Sequence, residues 1–128
     1  MKYLSDYMEA KQTKLFKETG TFFAFSDKQY EEQADKTKTY VYMGAGMYTL
    51  KKYAKDQIEK HYQIYNDAIK QDIKENGKDK IILRELLNHE AYYTYDLEQT
   101  IETLKDYPFS EDDISHIYQK NYGKYNNQ

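Results

Sequence analysis

The chain of 128 residues has no cysteine, no tryptophan, a single proline and a single arginine. Without thiols it can form neither disulfides nor thiolate metal sites, and no cysteine nucleophile is present. Apolar runs are short, and the first residues lack the apolar stretch of a signal peptide. These absences predict a cytoplasmic protein that makes no contact with a membrane.

Tyrosine is present in unusual excess. The chain holds 16 tyrosines, aromatic residues make up 16% and charged residues 32%, and the mean hydropathy is −1.08. Such hydrophilicity alone would suit disorder, but the aromatic content and the single proline favour a packed core. Each buried tyrosine needs a hydrogen-bond partner for its hydroxyl, so this core must be partly polar. We predict a single domain over residues 1–128.

The spacing of apolar residues predicts a mainly α (α+β) fold. We expect a compact bundle of about five or six helices, with a small β-hairpin or strand pair near residues 22–25 and 39–49. Gly20 and Pro108 end helices, whereas Ser26 and Ser110 begin them. The Gly44–Gly46 segment predicts a turn with positive φ, because no nucleotide-binding glycine pattern surrounds it. The predicted helices are Lys2–Thr19, Asp27–Ala34, Lys51–Asn76, Asp79–Tyr92, Thr94–Asp106 and a last one from Ser110 to Gly123.

Negative charge is concentrated near the end of the chain. From Glu85 to Asp113 there are nine acids and one base, Lys105, although the whole chain carries only −3. Tyrosines in the same stretch suit recognition of a host protein with a basic groove. A solvated acidic face on two small helices would look the same. At helical spacing the rings cannot all point inward, so at least one should be exposed. The predicted contact residues are Tyr92, Tyr93, Tyr95, Asp96, Glu98, Glu102, Asp106, Glu111 and Asp112.

The histidines give little indication of an enzyme. None of the three is followed at the third or fourth residue by a histidine or a carboxylate, and His89-Glu90 lacks the second histidine of a zinc protease motif. We therefore predict no catalytic residue, metal or cofactor, and interpret His89 as a hydrogen-bonded core or boundary residue. The weaker alternative is an acid–base or metal cluster of His89, Glu90 and Asp96.

Nucleic-acid binding is the main alternative to protein binding. The segment from Lys51 to Lys80 holds eight lysines and six acids, with tyrosines between them. A solvated helix with ion pairs one turn apart explains the same pattern. The single arginine, Arg84, argues against direct readout of bases or phosphates. The residues that would contact RNA or DNA are Lys51, Lys52, Tyr53, Lys55 and Lys60.

Three sequence strings occur in a characteristic order: FFAFSDKQY (Phe22–Tyr30), YVYMGAG (Tyr40–Gly46) and NHEAYYTYDLEQTIETLKDYP (Asn88–Pro108). With them the chain resembles a family of small proteins from phages and mobile genetic elements. That resemblance implies expression in the cytoplasm of an infected bacterium and no catalytic motif. It also implies inhibition of host defence, since one protein of this sort resembles an anti-CRISPR protein that acts on a type VI-B RNA-guided RNA nuclease. The partner implied is a CRISPR effector nuclease. The step that it would block and the oligomeric state remain open.

Overall fold

A computed structural model describes residues 1–126 of the chain. They contain eight α-helices, a 3-10 turn at Lys51–Tyr53 and three short strands, which confirms a mainly α fold with a small β element. The residues cluster into two compact units, Met1–Ala68 and Ile69–Gln128. The helices are α1 Leu4–Thr19, α2 Asp27–Gln33, α3 Ala54–Asn76, α4 Lys78–Asn88, α5 Ala91–Thr94, α6 Glu98–Thr103, α7 Glu111–Lys120 and α8 Tyr122–Tyr125, and the strands are β1 Phe22–Phe23, β2 Tyr40–Gly44 and β3 Met47–Leu50. Within residues 1–126, no helix combines the length and the apolar character needed to cross a membrane.

The first unit contains α1, α2 and the antiparallel sheet, in strand order β1-β3-β2. As predicted, α1 ends at Gly20, whose φ of 62° closes the helix in the left-handed conformation. One face of the sheet carries a cluster of aromatic rings with centroids 4.8–6.3 Å apart. All four rings are half-buried, so tyrosine packs on this sheet without forming a fully buried core there. The cluster consists of Phe22, Tyr30, Tyr40 and Tyr48.

The turn between β2 and β3 has three consecutive residues with positive φ: Gly44 at 97°, Ala45 at 51° and Gly46 at 79°. This confirms the predicted turn. The ring of Phe25 covers Gly46 so closely that a Cβ there would lie 2.3 Å from a ring carbon. Gly46 is therefore favoured by its backbone conformation, and a larger residue there would also displace the exposed Phe25 ring.

The second unit has a core of Ile81, Ile82, Leu86 and Leu104, all of them fully buried. Helix α4 supplies three of these residues and packs against α5, α6 and α7. Gly77, with a φ of 78°, separates α3 from α4. The second unit is therefore organised around α4.

A charged cluster is buried beside this core. Arg84 donates two hydrogen bonds to the Asp72 carboxylate, at 2.9 and 3.0 Å, and a third to Glu85 at 2.9 Å. The Tyr107 hydroxyl and the Asn76 amide donate to Asp72 as well. Burial by itself would raise the pKa of Asp72, but the hydrogen bonds from Arg84, Tyr107 and Asn76 outweigh it and hold that pKa below 3.8. The only arginine of the chain therefore has a structural role.

Two predicted helices have the wrong boundaries: Asp79–Tyr92 and Thr94–Asp106. Helix α4 already ends at Asn88, and α6 spans only Glu98–Thr103. Left-handed residues interrupt the chain at Glu90, with a φ of 54°, and at Tyr95, with a φ of 59°.

Side chains replace the helical hydrogen bonds in this segment. The Asp96 backbone N–H donates to Thr94 Oγ1 at 3.3 Å, and the Glu98 N–H donates to Asp96 Oδ1 at 2.9 Å. Thr and Asp favour such local bonds over helix continuation, which explains the late start of α6.

Candidate functional site

Two tyrosines separated by one residue, Tyr93 in α5 and Tyr95 at its end, project into solvent. The exposed fraction is 83% for Tyr93 and 66% for Tyr95, whereas Tyr92 is only 6% exposed. The prediction that at least one ring of this group is exposed is confirmed. Tyr92 differs from the other predicted contact residues, because its side chain is buried.

Tyr92 anchors the short helix that carries Tyr93. Its hydroxyl donates to the Tyr118 carbonyl oxygen at 3.0 Å, and its ring stacks on the Tyr118 ring with centroids 4.6 Å apart. Burial, aided by the neighbouring Tyr118 and Tyr125, raises the pKa of Tyr92 to about 12. The hydroxyl therefore stays protonated and keeps donating, which fixes the backbone from which Tyr93 projects.

Besides Asp96, which is exposed but accepts the Glu98 backbone N–H, two of the nine acids of this stretch have structural roles. Glu85 is buried and paired with Arg84. Asp113 accepts the Ser110 backbone N–H at 2.9 Å while its own N–H donates to Ser110 Oγ at 3.0 Å, which completes the predicted cap of α7. Mainly this backbone hydrogen bond from Ser110, helped by Lys78 at 3.3 Å, lowers the pKa of Asp113.

The other carboxylates of the stretch reach solvent. Glu102 is paired with Lys105 at 2.8 Å, an exposed contact that contributes little to stability. The exposed acids are Glu90, Asp96, Glu98, Glu102, Asp106, Glu111 and Asp112. We call the exposed members of the predicted contact set the acidic surface; they are Tyr93, Tyr95, Asp96, Glu98, Glu102, Asp106, Glu111 and Asp112.

A groove of about 390 Å³ lies beside α5. Tyrosine rings form most of its wall, and Asn126 completes it. The Asn126 Oδ1 atom is buried and has no hydrogen-bond partner among residues 1–126. We call this the tyrosine groove; it is lined by Leu87, Tyr92, Tyr93, Tyr95, Tyr125 and Asn126.

The sequence prediction missed the contribution of α8 to this groove, because the chain end resembles a frayed tail. A signal was available, since Tyr118, Tyr122 and Tyr125 follow one another at spacings of four and three. Such spacing places rings on one helical face. The Tyr125 ring in fact lies 5.4 Å from that of Tyr92.

His89 does not form the alternative cluster with Glu90 and Asp96. Its Nε2 is 3.0 Å from Thr103 Oγ1, and the residue is half-buried, as predicted for a boundary histidine. Glu90 and Asp96 are exposed to solvent. In the described part of the chain, no three histidine, aspartate or glutamate side chains are grouped closely enough to hold a metal ion.

The lysines proposed for nucleic-acid binding belong to the first unit. Lys51, Lys52, Lys55 and Lys60 are exposed, and Lys52 Nζ lies 5.0 Å from the centroid of the half-buried Tyr53 ring. The exposed acids Asp56 and Glu59 alternate with these lysines, which dilutes the positive charge. A cavity of about 560 Å³ is lined by Lys38, Thr39, Leu50, Lys51 and Lys52.

Comparison with known proteins yields one family. A family of unknown function, DUF7659, matches residues 4–124. No curated protein and no solved structure matches the chain. The family description carries no activity or partner, so the expectation drawn from phage proteins stays a prediction.

Proposed function

The chain belongs to the DUF7659 family, and we propose that it is a non-catalytic binding protein whose acidic surface engages a basic groove on another protein. The observation that carries the proposal is the exposure of Tyr93 and Tyr95 next to the buried anchor Tyr92. Two large rings in water, held on a fixed backbone and surrounded by carboxylates, suit a contact surface.

Tyrosine is suited to this role for physical reasons. Burying one such ring at an interface removes about 150–250 Å² from water, and only two side-chain torsions lose their freedom. Because Tyr92 already holds α5, little further ordering of the backbone is needed on binding. Tyr93 and Tyr95 are therefore the expected centre of the contact.

The carboxylates supply selectivity for a basic partner. Six acids of the acidic surface are opposed by one lysine, Lys105, in the same stretch. The negative charge of this surface accelerates association with a basic partner and repels an acidic one. These electrostatic forces act over about 8 Å at physiological ionic strength. Binding should accordingly weaken as salt is raised.

The narrower form of the proposal names the partner as a host-defence nuclease guided by RNA. It is supported by the resemblance to phage proteins and by the charge of such an enzyme, whose RNA channel must be basic. An acidic surface would compete with RNA for that channel. The protein would then act in the cytoplasm of an infected bacterium.

Charge reversal tests the proposal. The variant Glu98→Lys/Glu102→Lys/Asp106→Lys should keep its circular dichroism spectrum, because all three residues are exposed. It should lose at least tenfold in affinity for the protein that the wild type captures from host cytosol.

The matched control makes the same change of charge at three acids outside the acidic surface. Glu9→Lys/Glu31→Lys/Glu32→Lys alters three exposed acids of the first unit. It should retain the partner. Equal binding by both variants, or equal loss in both, would contradict the placement of the contact on the acidic surface.

A second candidate function is a small RNA- or DNA-binding module. One observation favours it: Lys38, Lys51 and Lys52 line the same cavity. It predicts a gel shift of single-stranded RNA at low salt that disappears in Lys51→Glu/Lys52→Glu and falls steeply as salt rises. Absence of any shift at about 0.02 M salt, where phosphate contacts are only weakly screened, would eliminate it.

A further inference from the structure

We infer that the tyrosine groove receives an arginine side chain of the partner. This inference rests on the proposed function, since it names the group that the acidic surface recognises. Three properties of the groove carry it: its ring faces, its buried acceptor and the sign of the charge around it.

The rings of Tyr93 and Tyr95 are available to a cation, whereas Lys124 Nζ already lies 5.2 Å from the centroid of the Tyr125 ring. Within residues 1–126, neither Tyr93 nor Tyr95 stacks on another ring or makes a side-chain hydrogen bond, although Tyr92 and Tyr125 already pack together at 5.4 Å. The face of a phenol ring attracts a cation, and a planar guanidinium stacks on it with less loss of hydration than an ammonium. Arginine therefore fits this wall better than lysine.

The groove also holds an unused acceptor. Asn126 Oδ1 is buried without a donor in the described part of the chain. A guanidinium brings five N–H donors and no acceptor. Because Oδ1 is shielded from water, a rotation of the Asn126 side chain is needed before a guanidinium that lies against the rings can donate to it. A neutral apolar side chain would leave this atom unpaired.

The surrounding charge selects a cation over a nucleobase. Stacked tyrosines also bind bases of single-stranded nucleic acid. However, the exposed acids Glu90 and Asp96 flank Tyr93 and Tyr95 in the chain, and they would repel the phosphates that accompany a base. The same carboxylates would attract the positive charge of an arginine.

The test is nuclear magnetic resonance of the full chain labelled with ¹⁵N. The probe is the tripeptide Gly-Arg-Gly with both ends blocked, and the comparison is the same peptide with citrulline, which keeps the shape and loses the charge. We expect saturable shifts of the Asn126 side-chain amide and of Tyr93 and Tyr95 with the arginine peptide. Binding of the citrulline peptide should be at least tenfold weaker, and a Gly-Lys-Gly peptide should be weaker than Gly-Arg-Gly.

Two variants test whether the peptide binds at the tyrosine groove. Tyr93→Leu/Tyr95→Leu should weaken peptide binding at least tenfold without loss of fold, because both rings are exposed. Tyr62→Leu removes an equally exposed ring, 67% in water, from the first unit and should bind the peptide normally. Equal affinity for arginine and citrulline, equal loss in both variants, or shifts of the same resonances by single-stranded RNA would overturn the inference.

The two proposals can fail separately. If the arginine peptide does not bind but Glu98→Lys/Glu102→Lys/Asp106→Lys still abolishes partner capture, the arginine inference is wrong and the proposed function stands. If the peptide binds the groove but charge reversal leaves partner capture unchanged, the proposed contact surface is wrong. In that case the groove is a cation site whose role differs from the one proposed.

Discussion

Asp72→Asn is expected to be among the most damaging isosteric substitutions in the second unit. The change keeps the size of the side chain but removes the negative charge that faces Arg84. Both side chains are almost fully removed from water, at 0% and 3% exposure. The guanidinium would then be buried with Glu85 as a carboxylate partner that it retains.

The size of the effect follows from this geometry. Removing one partner of a buried ion pair costs about 3–5 kcal/mol, because the other charge stays out of water without compensation. Since Glu85 still accepts from Arg84 at 2.9 Å, we expect the lower end, about 3 kcal/mol. For a chain of this length that loss corresponds to a fall in Tm of roughly 10–15 °C.

Urea unfolding followed by circular dichroism measures the change. The control is Asp67→Asn, which makes the same substitution at an exposed position of the same helix and should stay within about 0.5 kcal/mol of wild type. Similar free energies of unfolding for the two variants would refute the view that the Asp72–Arg84 pair is a necessary part of the core.

Three further predictions concern stability. Lowering the pH should remove the greater stability of wild type over Asp72→Asn. The folded pKa of Asp72 lies below 3.8, so its stabilisation is complete above that value and disappears as pH falls through the folded pKa. A difference in unfolding free energy that stays constant from pH 5 to pH 2 would contradict this. Gly46→Ala should destabilise the chain by at least about 1 kcal/mol, because the new Cβ meets the Phe25 ring and the φ is positive; a Tm equal to wild type would show that the turn can relax. Ser110→Ala should cost about 1 kcal/mol through loss of the cap of α7, whereas Ser115→Ala, at an exposed position inside that helix, should not; equal unfolding curves would disprove the role of the cap.

Sequence patterns predicted the elements whose ends carry a local chemical signal. Gly20 closes α1 and Ser110 begins α7, because a left-handed glycine and a side-chain cap each act within a few residues. The interruptions at Glu90 and Tyr95 had no such signal. Neither residue type favours positive φ, so the packing around α5 must impose that conformation.

The candidate site was predictable in region but not in detail. Tyr92, Tyr93 and Tyr95 are chemically identical, and only the tertiary structure decides that the first is a core residue and the others are exposed. Charged residues pose the same problem. Asp72 and Arg84 look like surface residues in the sequence, and their burial follows from a pairing that spans two helices.

The separation of Asp72 and Arg84 by only twelve residues has a consequence for the order of folding. The segment that joins them is short and mostly helical, so the entropy lost on closing it is small compared with that of contacts between distant parts of the chain. Proteins rich in such local contacts fold faster than proteins dominated by distant ones. The α3–α4 junction at Gly77 is therefore a natural nucleus for the second unit, and damage to the ion pair should slow refolding more than it accelerates unfolding.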